Sequence, residues 1–439
     1  PLELTLDRAI ELALIHNPSL EVERLNPQVA HEALVKAQSA FDPTATLSYG
    51  DKDKHSTTTS SLAGAPTSQT RDTSYNGTLS ETLPTGTSLD LSLAYVRSRT
   101  NSAFSTLNPS HTSSATITVK QPLLKGFGLQ VAQADKTIAA HGEAAARHAF
   151  RVRLIDTVSS VEGSYWDLLA SLDDVAVKRA ALESARSLEA TNQAKVDAGT
   201  LPRTDLLEAS SASASGEADL IDAERKARDA QDLLRRLVSP PADSADPTAW
   251  QPIQPVDKPV LPEGAPDQMA SIAQAFQSRP ELAQYRSKIQ SALVSRLVAQ
   301  NGVLPDLSVS GSWGQDGVAA NREDSYSNLS NARARTWEVV LSMEIPLGNR
   351  GPKSDLRKAE AVLEQERLRL RDLESQVVVE VRASVRAVES GRRRLEANER
   401  AVAFSSEKLR SELLRFEQGL STTHAVLDAL KTDTAERGK

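Results

Sequence analysis

The sequence predicts an α+β fold written twice, each half comprising a helix, a block of β-strands, a very long coiled-coil helix, a tight turn and a returning helix. Three observations predict it. The segment KVDAGTLPRTDLLEA around Gly199 recurs 220 residues later as FEQGLSTTHAVLDA around Gly419. Aligning the glycines also aligns Leu207 with Leu427 and Ala209 with Ala429, with an acid, Glu208 or Asp428, just before each alanine. A fixed-offset match of this kind marks a duplicated architecture. Long proline-free stretches carry apolar residues at three-and-four spacing, and between them lie segments with strict two-residue alternation.

Composition supports long helices. The 439 residues are 39% apolar but only 4% aromatic, and Ala, Leu, Ser, Glu and Arg dominate. The net charge of −7 is modest and its signs are interspersed, which leaves no nucleic-acid footprint. The absence of cysteine excludes thiol catalysis, disulfides and thiolate metal sites, and fits an exported chain. No run of eighteen apolar residues exists, so a transmembrane helix is not expected and any membrane passage is by β-strands. The start at Pro1 lacks a charged segment followed by an apolar one, so a secretion signal is expected to be absent or already removed.

The first repeat is read as residues 1–238. It opens with the amphipathic stretch AIELALIHNPSLEV around Pro18, whose counterpart in the second repeat is SIAQAFQSRPELAQ around Pro280. Helical spacing then gives way to alternation at FDPTATLSY and, in the second copy, at LPDLSVSGSW. Strands are expected at about 44–53, 74–83, 87–97 and 114–121, and in the second repeat near 306–315 and 335–345. In SLDLSLAYV, Leu89, Leu91, Leu93 and Tyr95 share one face while Asp90, Ser92 and Ala94 share the other. The turn LPTGT is short, whereas 54–73, 98–113 and the stretch holding Asn321, Arg322, Glu323 and Asp324 read as long polar loops. Short turns on one side and long loops on the other are the habit of outer-membrane barrels. Strands of about nine to eleven residues suffice for a tilted crossing. Six strands cannot close a channel-sized barrel alone, so closure is expected from other subunits.

Both halves leave their strands through similar exits, KQPLLKGFG and EIPLGNRG. Long helices follow over about 131–198 and 354–418. In the first, Ile155, Val158, Tyr165, Leu168, Leu172, Val175, Leu182 and Leu188 form the apolar stripe; in the second, residues from Leu356 to Phe416 repeat it. At 1.5 Å per residue each is a rod of roughly 100 Å. A sustained 3.5-residue period implies supercoiling against neighbours. After Gly199, Pro202 lacks the amide that a helix interior needs, so the chain reverses, with Thr204 as cap and Asp205 in the first turn of a return helix over 203–238. The second return helix starts near Thr422 or Thr423 and is expected to be cut short at Lys439. Residues 239–266, an equatorial linker, hold eight of the 21 prolines, which excludes helix or a central strand. The second repeat then covers 267–439.

These features together make the chain resemble the TolC-like outer-membrane efflux family. The paired turns at Gly199 and Gly419, the NPSLEV and RPELAQ helices, and the QPLL and IPLG exits carry the resemblance, which covers essentially all residues. The resemblance implies a homotrimer in the Gram-negative outer membrane, with a lipid-embedded β-barrel continued by an α-helical tunnel through the periplasm. It implies a passive exit channel for efflux or type I secretion, served by an inner-membrane pump and a periplasmic adaptor, with no enzyme activity and no cofactor. Gly199, Thr200 and Leu201 with Gly419, Leu420 and Ser421 would form the adaptor-docking turns. Asp428, with Asp205 in the first turn, would narrow the periplasmic gate, although Ala425 and Ser421 replace an acid and an arginine often found there. Asp428 reads equally as a helix-surface acid. The family's usual four strands per subunit are the alternative to the six expected here, which would give eighteen in a trimer and a wider pore.

Other features have plainer readings. His141 and His148 stand seven residues apart, too far to chelate one metal. Gly126 and Gly128 read as a strand-to-helix hinge, Arg392, Arg393 and Arg394 as a solvated or lumen-facing patch, and Asp173 with Asp174 and Glu364 with Glu366 as coiled-coil surface charges. A structural coiled-coil protein with a non-channel β tip is the second reading. It explains the rods and leaves the paired strand blocks unexplained.

Overall fold

The computed structural model describes residues 2–57, 66–238, 251–261, 264, 266–331 and 334–438. They fall into two units, Pro1–Asn26 with His148–Leu282 and Asp372–Lys439, and Pro27–Arg147 with Ala283–Arg371.

The first unit is helical, with a small parallel clasp. Strand β1 (Leu2–Leu4) pairs with β6 (Ile253–Pro255), Leu2 opposite Ile253 and Leu4 opposite Pro255. Helix α1 (Leu6–His16) follows, capped by the Thr5 hydroxyl, which accepts from the Arg8 amide. It stops at Asn17 because Pro18 disfavours helical backbone in the residue before it. Pro18 instead opens α2 (Pro18–Gln38), and the Asn17 side chain caps it by accepting from Ser19 and Leu20. The counterpart break separates α6 (Gln268–Ser278) from α7 (Pro280–Gly302) at Arg279. Here the linking side chain reaches Glu380 at 2.7 Å, and this hydrogen bond holds the Glu380 carboxyl below its ordinary range.

Two long helices, α4 (Ala134–Asp197) and α9 (Arg350–Glu417), contribute to this unit with the return helices α5 (Arg203–Val238) and α10 (Thr423–Arg437). Its core collects Leu4, Ala9, Ala13, Val161, Tyr165, Leu168, Leu234, Val238 and Ile253. Alanines on α1 let its backbone approach α5, while Tyr165 supplies the largest fully buried side chain. The Tyr165 hydroxyl shares its proton between the Leu4 carbonyl (2.9 Å) and the Asp257 carboxylate (2.8 Å), and accepts from the Val256 and Asp257 amides (3.2 Å each). Asp257 also accepts from the Leu6 amide at 2.6 Å. One phenol therefore satisfies the backbone of the clasp on both sides.

The second unit is organised around an antiparallel sheet in the order β2-β3-β4-β5-β7-β8. Its strands are β2 (Thr44–Thr57), β3 (Thr67–Thr82), β4 (Ser88–Thr100), β5 (Ser110–Pro122), β7 (Asp306–Ala319) and β8 (Ala334–Glu344). Residues 74–97 lie inside this ladder, where β3 and β4 pair from Thr70↔Thr100 to Thr82↔Ser88. The register is unbroken across the sheet, so Tyr49, Tyr75, Tyr95, Ser113 and Gly317 line up in one row. Gly126 and Gly128 stand between β5 and the one-turn helix α3 (Leu129–Ala132), where Asn301 of α7 accepts from the Gly126 amide and donates to the Leu124 carbonyl.

Several expectations need correction. Strands β2 and β3 run well beyond 44–53 and 74–83, because serine and threonine extend a ladder without apolar alternation. The polar stretch after β7 contains helix α8 (Arg322–Ser330), started by Asn321, whose side chain accepts from the Asp324 amide. Helix α4 starts at Ala134 rather than 131, and α9 at Arg350 rather than 354. Helix α5 starts at Arg203, so Thr204 lies within it and is not its cap. Of the linker read at 239–266, residues 239–250, 262–263 and 265 lie outside the described residues, as do Lys439, the end of the second return helix, and 58–65 of the first loop. The β6 strand within that linker was not foreseen.

Tyr165→Phe should free the Leu4, Val256 and Asp257 backbone groups from their shared partner while keeping the ring's packing. The expected cost is about 1–3 kcal/mol, read as faster amide hydrogen exchange at Asp257 than in the wild type, whereas the Val256 amide keeps the Leu4 carbonyl at 3.3 Å. Unchanged exchange at Asp257 would remove the phenol from this role.

Candidate functional site

Two places in the molecule have the geometry of a working site, one in each unit.

The first is the pair of reversals predicted from the repeated glycines. At the end of α4, Gly199 has φ 73°, its amide donates to the Val196 carbonyl (2.9 Å) and the Thr200 amide to the Lys195 carbonyl (2.9 Å). At the end of α9, Gly419 has φ 74°, its amide donates to Phe416 (3.1 Å) and the Leu420 amide to Arg415 (2.8 Å). Both are Schellman closures, in which a left-handed residue lets two amides satisfy the last free carbonyls of the helix. Thr200 adds a hydroxyl bond to the Lys195 carbonyl, and Ser421 donates instead to the Glu412 carboxylate at 2.5 Å. Leu420 is 66% exposed, while Leu201 is half-buried. Thr422 caps α10 by accepting from the Ala425 amide.

Side chains not anticipated from sequence join the two reversals. Leu188 of α4 packs with Phe416 of α9 and Val426 of α10. The Lys195 ammonium sits 3.9 Å above the Phe416 ring and donates to the Phe416 carbonyl at 3.2 Å. Asn192, fully buried, donates to the Asp205 carbonyl (3.2 Å) on α5 and to the Thr423 hydroxyl (3.0 Å) on α10. On the surface, His424 of α10 meets Glu208 of α5 at 2.6 Å. The sequence signal for Asn192 was a polar residue at a core position of a coiled-coil stripe, a common specificity device.

The predicted gate acids are not brought together. Asp205 is half-buried, its side chain accepting from the neighbouring Thr204 hydroxyl at 3.3 Å. Asp428 is exposed and pairs with Lys408 at 3.3 Å. Among the described residues the two share no hydrogen bond or ion pair.

The second place is the sheet. Its continuous register sorts side chains into two chemically distinct faces. One face carries Leu47, Tyr75, Leu79, Leu91, Leu93, Tyr95, Ile117, Trp313, Trp337, Val339 and Leu341, all partly or largely exposed, with Trp337 at 75%. The other is polar and internally bonded, with Ser48 to Asn76 (3.3 Å), Thr78 to Ser92 (3.2 Å), Ser80 to Asp90 (2.5 Å) and Ser98 to Asp72 (2.5 Å). From Leu89 to Tyr95 the apolar side spans roughly 20 Å at about 3.4 Å per residue. Arg71, Arg97 and Arg99 lie on the same face nearer the strand ends that lead into the long loops. Helix α8 is laid on this face, with Ser325 and Ser113 hydrogen-bonded at 2.7 Å and Asn328 donating to the Val318 carbonyl at 3.0 Å. It comes so close that a Cβ on Gly317 would stand 2.0 Å from the Ser325 carbonyl oxygen.

The profile of the outer membrane efflux protein family matches residues 86–239 and 271–437. The chain belongs to the outer membrane efflux protein family. Solved structures share the fold of this efflux-family chain over 99% of its length. The Campylobacter jejuni CmeC outer membrane channel matches with TM-score 0.72, 15% identity and 81% of its own chain covered. The Vibrio cholerae outer membrane protein VceC matches with TM-score 0.70, 17% identity and 90% covered. The open state of the Neisseria gonorrhoeae MtrE outer membrane channel matches with TM-score 0.67, 18% identity and 84% covered. No curated protein sequence matches the chain.

Among the described residues no helix of this efflux-family chain is long and apolar enough to cross a membrane, and no group of three or more His, Asp or Glu is placed to hold a metal ion.

Ala has to adopt the left-handed conformation if it replaces either turn glycine. Gly199→Ala and Gly419→Ala should each cost about 1–2 kcal/mol, whereas Gly391→Ala, inside α9 with nothing within 4 Å of the new Cβ, should gain about 1 kcal/mol. Chemical denaturation followed by circular dichroism checks the contrast.

The hydrogen bond that His424 donates to Glu208, followed by the charge of Glu208 and a weaker pull from Asp428, raises the His424 pKa above its ordinary 6.5. The protonated form is therefore favoured in the folded state, and the link is fully present below pH 6.5 and lost as pH rises through the raised value. An NMR titration should place the His424 imidazole above 6.5 in the wild type and return it toward 6.5 in Glu208→Gln. Identical titrations in the two proteins would contradict the contact.

Proposed function

We propose that the chain is the passive exit channel of a tripartite efflux or type I secretion system in the outer membrane of a Gram-negative bacterium. The observation that carries this reading is the two-faced sheet in an efflux-family chain. Outer-membrane barrels place an apolar band of about 25 Å against lipid and a polar surface toward the lumen, and the exposed Leu, Trp and Val face with the serine, threonine and aspartate face fits that division.

The sheet ends in two unpaired edges, β2 and β8. Unpaired strand edges are excluded from hydrocarbon, so in a membrane each edge must find a partner. Joining β8 of one copy to β2 of the next closes a homotrimeric barrel of eighteen strands from three copies of six. The fold itself supplies no energy source, and an inner-membrane pump is the partner that drives transport. The turns Gly199, Thr200, Leu201, Gly419, Leu420 and Ser421 are the docking points for a periplasmic adaptor, favoured by their exposed backbone and by Leu420. Asp205 and Asp428 are the gate acids. The Lys408 partner of Asp428 is itself exposed, and such a pair exchanges readily with solvent.

Reconstitution of the full chain into planar bilayers tests this reading. Discrete conductance steps from a trimeric species are expected, and the double variant Asp205→Asn with Asp428→Asn should shift the reversal potential in a salt gradient toward lower cation selectivity. A chain that neither conducts nor associates with membrane would instead be a structural coiled-coil protein with a β tip.

A further inference from the structure

The apolar face of the sheet is not uniform. Beside α8 it opens into a cleft of about 690 Å³, lined by Tyr49, Tyr75, Leu93 and Tyr95 from the sheet and by Tyr326 and Leu329 from the helix. That volume lies within the range of roughly 300–1,000 Å³ typical of small-molecule sites. Gly77, on the same face between Tyr75 and Leu79, adds no side chain, and the Leu47 side chain lies across it, with its Cδ2 3.3 Å from where a Cβ would stand. The rings form a continuous row, Tyr49 to Tyr75 at 5.2 Å, Tyr75 to Tyr95 at 6.1 Å, and Tyr95 stacked on Tyr326 at 5.9 Å. The Tyr95 hydroxyl is engaged with His111 at 2.6 Å, so this phenol's polar end is satisfied at the rim and its ring is left to the cleft.

The rim is basic. The Arg322 guanidinium lies 5.6 Å from the Tyr95 ring and 5.6 Å from the Tyr326 ring. Arg97 follows Tyr95 on the same face, opposite His111. Neither arginine has a carboxylate within ion-pair distance among the described residues. Of the nearby acids, Asp51 is taken by Arg71 at 2.7 Å, Asp53 by His55 at 3.2 Å and Asp324 by Asn321 at 2.8 Å, while Glu323 beside Arg322 makes no ion pair with it among the described residues. Helix α8 adds a further constraint. Seven of its nine residues are polar, and its two apolar ones, Tyr326 and Leu329, line the cleft. A polar helix on a lipid-facing surface belongs at headgroup depth, where aromatic side chains with one wet end also collect. Guanidinium groups at that depth suit phosphate oxygens, which they bind in a planar fork.

We propose that this cleft seats one acyl chain of a phosphate-bearing, net negative membrane lipid whose headgroup phosphate is held by Arg322 and Arg97. The proposal rests on the membrane-channel reading above and adds to it a defined lipid site. The apolar cleft takes the chain, the tyrosine row orders its upper part, and α8 walls it off from the remainder of the lipid-facing surface. The arginines select phosphate-bearing, net negative lipids over zwitterionic ones.

The test uses the full chain in phosphatidylcholine vesicles containing phosphatidylglycerol with a diazirine on one acyl chain, irradiated and mapped by mass spectrometry. Adducts should concentrate on Tyr75, Tyr95 and Tyr326 relative to Val339 and Leu341 on the open part of the same face. Arg322→Ala should lower the cleft adducts roughly fivefold, the equivalent of one charge-assisted contact, and Arg322→Lys, which keeps the charge without the planar fork, should restore only part of the loss. Leu329→Trp, which fills the cleft, should abolish them while labelling at Val339 and Leu341 persists. Diazirine phosphatidylcholine in place of phosphatidylglycerol should label the cleft less. Labelling spread evenly over the apolar face, or confined to Val339 and Leu341 because a neighbouring copy's side chains occupy the cleft, overturns the lipid site and leaves the channel reading standing. Failure to label Val339 and Leu341 as well would overturn both.

Discussion

The register of one antiparallel ladder governs most of the second unit. Because side chains alternate with a period of two, a one-residue slip in any pairing would carry every leucine and tyrosine beyond it to the polar face. No such slip occurs from β2 to β8, and the pairing of Tyr49 with Tyr75, Tyr75 with Tyr95 and Tyr95 with Ser113 is what brings three rings into one row. The same register puts Gly317 and Ser113 side by side beneath α8, so the helix has both a space to enter and a hydroxyl to meet. The polar face is locked by short hydrogen bonds between directly opposed residues, such as Ser80 with Asp90, which reinforce the register from the other side.

The helical unit solves a different problem, that of ending very long helices without leaving free carbonyls. Gly199 and Gly419 close their helices with equivalent hydrogen bonds, yet the surroundings differ. One turn is fastened to its own helix through the Thr200 hydroxyl, the other reaches back two turns to Glu412 through Ser421. Between them Asn192 spends its amide hydrogens on α5 and α10 together. Among the described residues its own buried carbonyl oxygen has no hydrogen-bond partner. A buried polar group of that kind costs stability and returns specificity of packing, since only one arrangement of the helices gives its donors acceptors.

Much of this was legible in the residues. The two glycines announced themselves by their spacing and took the same left-handed conformation, and the alternation of Leu89, Leu91, Leu93 and Tyr95 marked a face that the ladder reproduces. What escaped has physical reasons. Helix α8 carries no apolar period, because a nine-residue helix lying on a sheet needs only Tyr326 and Leu329 to be apolar. Strand β1 is three residues long and finds its partner some 250 positions away, beyond any local pattern. Helix α5 begins at Arg203, one residue before Thr204, so Thr204 lies inside the helix and serves as no cap. The tip contacts of Lys195, His424 and Glu208 join residues more than two hundred positions apart and follow from the packing of the two reversals, which periodicity within each helix does not reveal.

The clasp at Tyr165 sets a timetable for synthesis. Leu2–Leu4 is made well before the strand it pairs with and the Asp257 carboxylate that receives both the Leu6 amide and the phenol, which follow about 250 residues later. At a synthesis rate of roughly 5–20 residues per second this interval is about ten to fifty seconds. Throughout it β1 has no partner strand, and once Tyr165 is made its phenol still lacks three of the four groups that it finally satisfies. The first unit, whose core includes both Leu4 and Ile253, therefore completes that core only after the middle of the molecule exists.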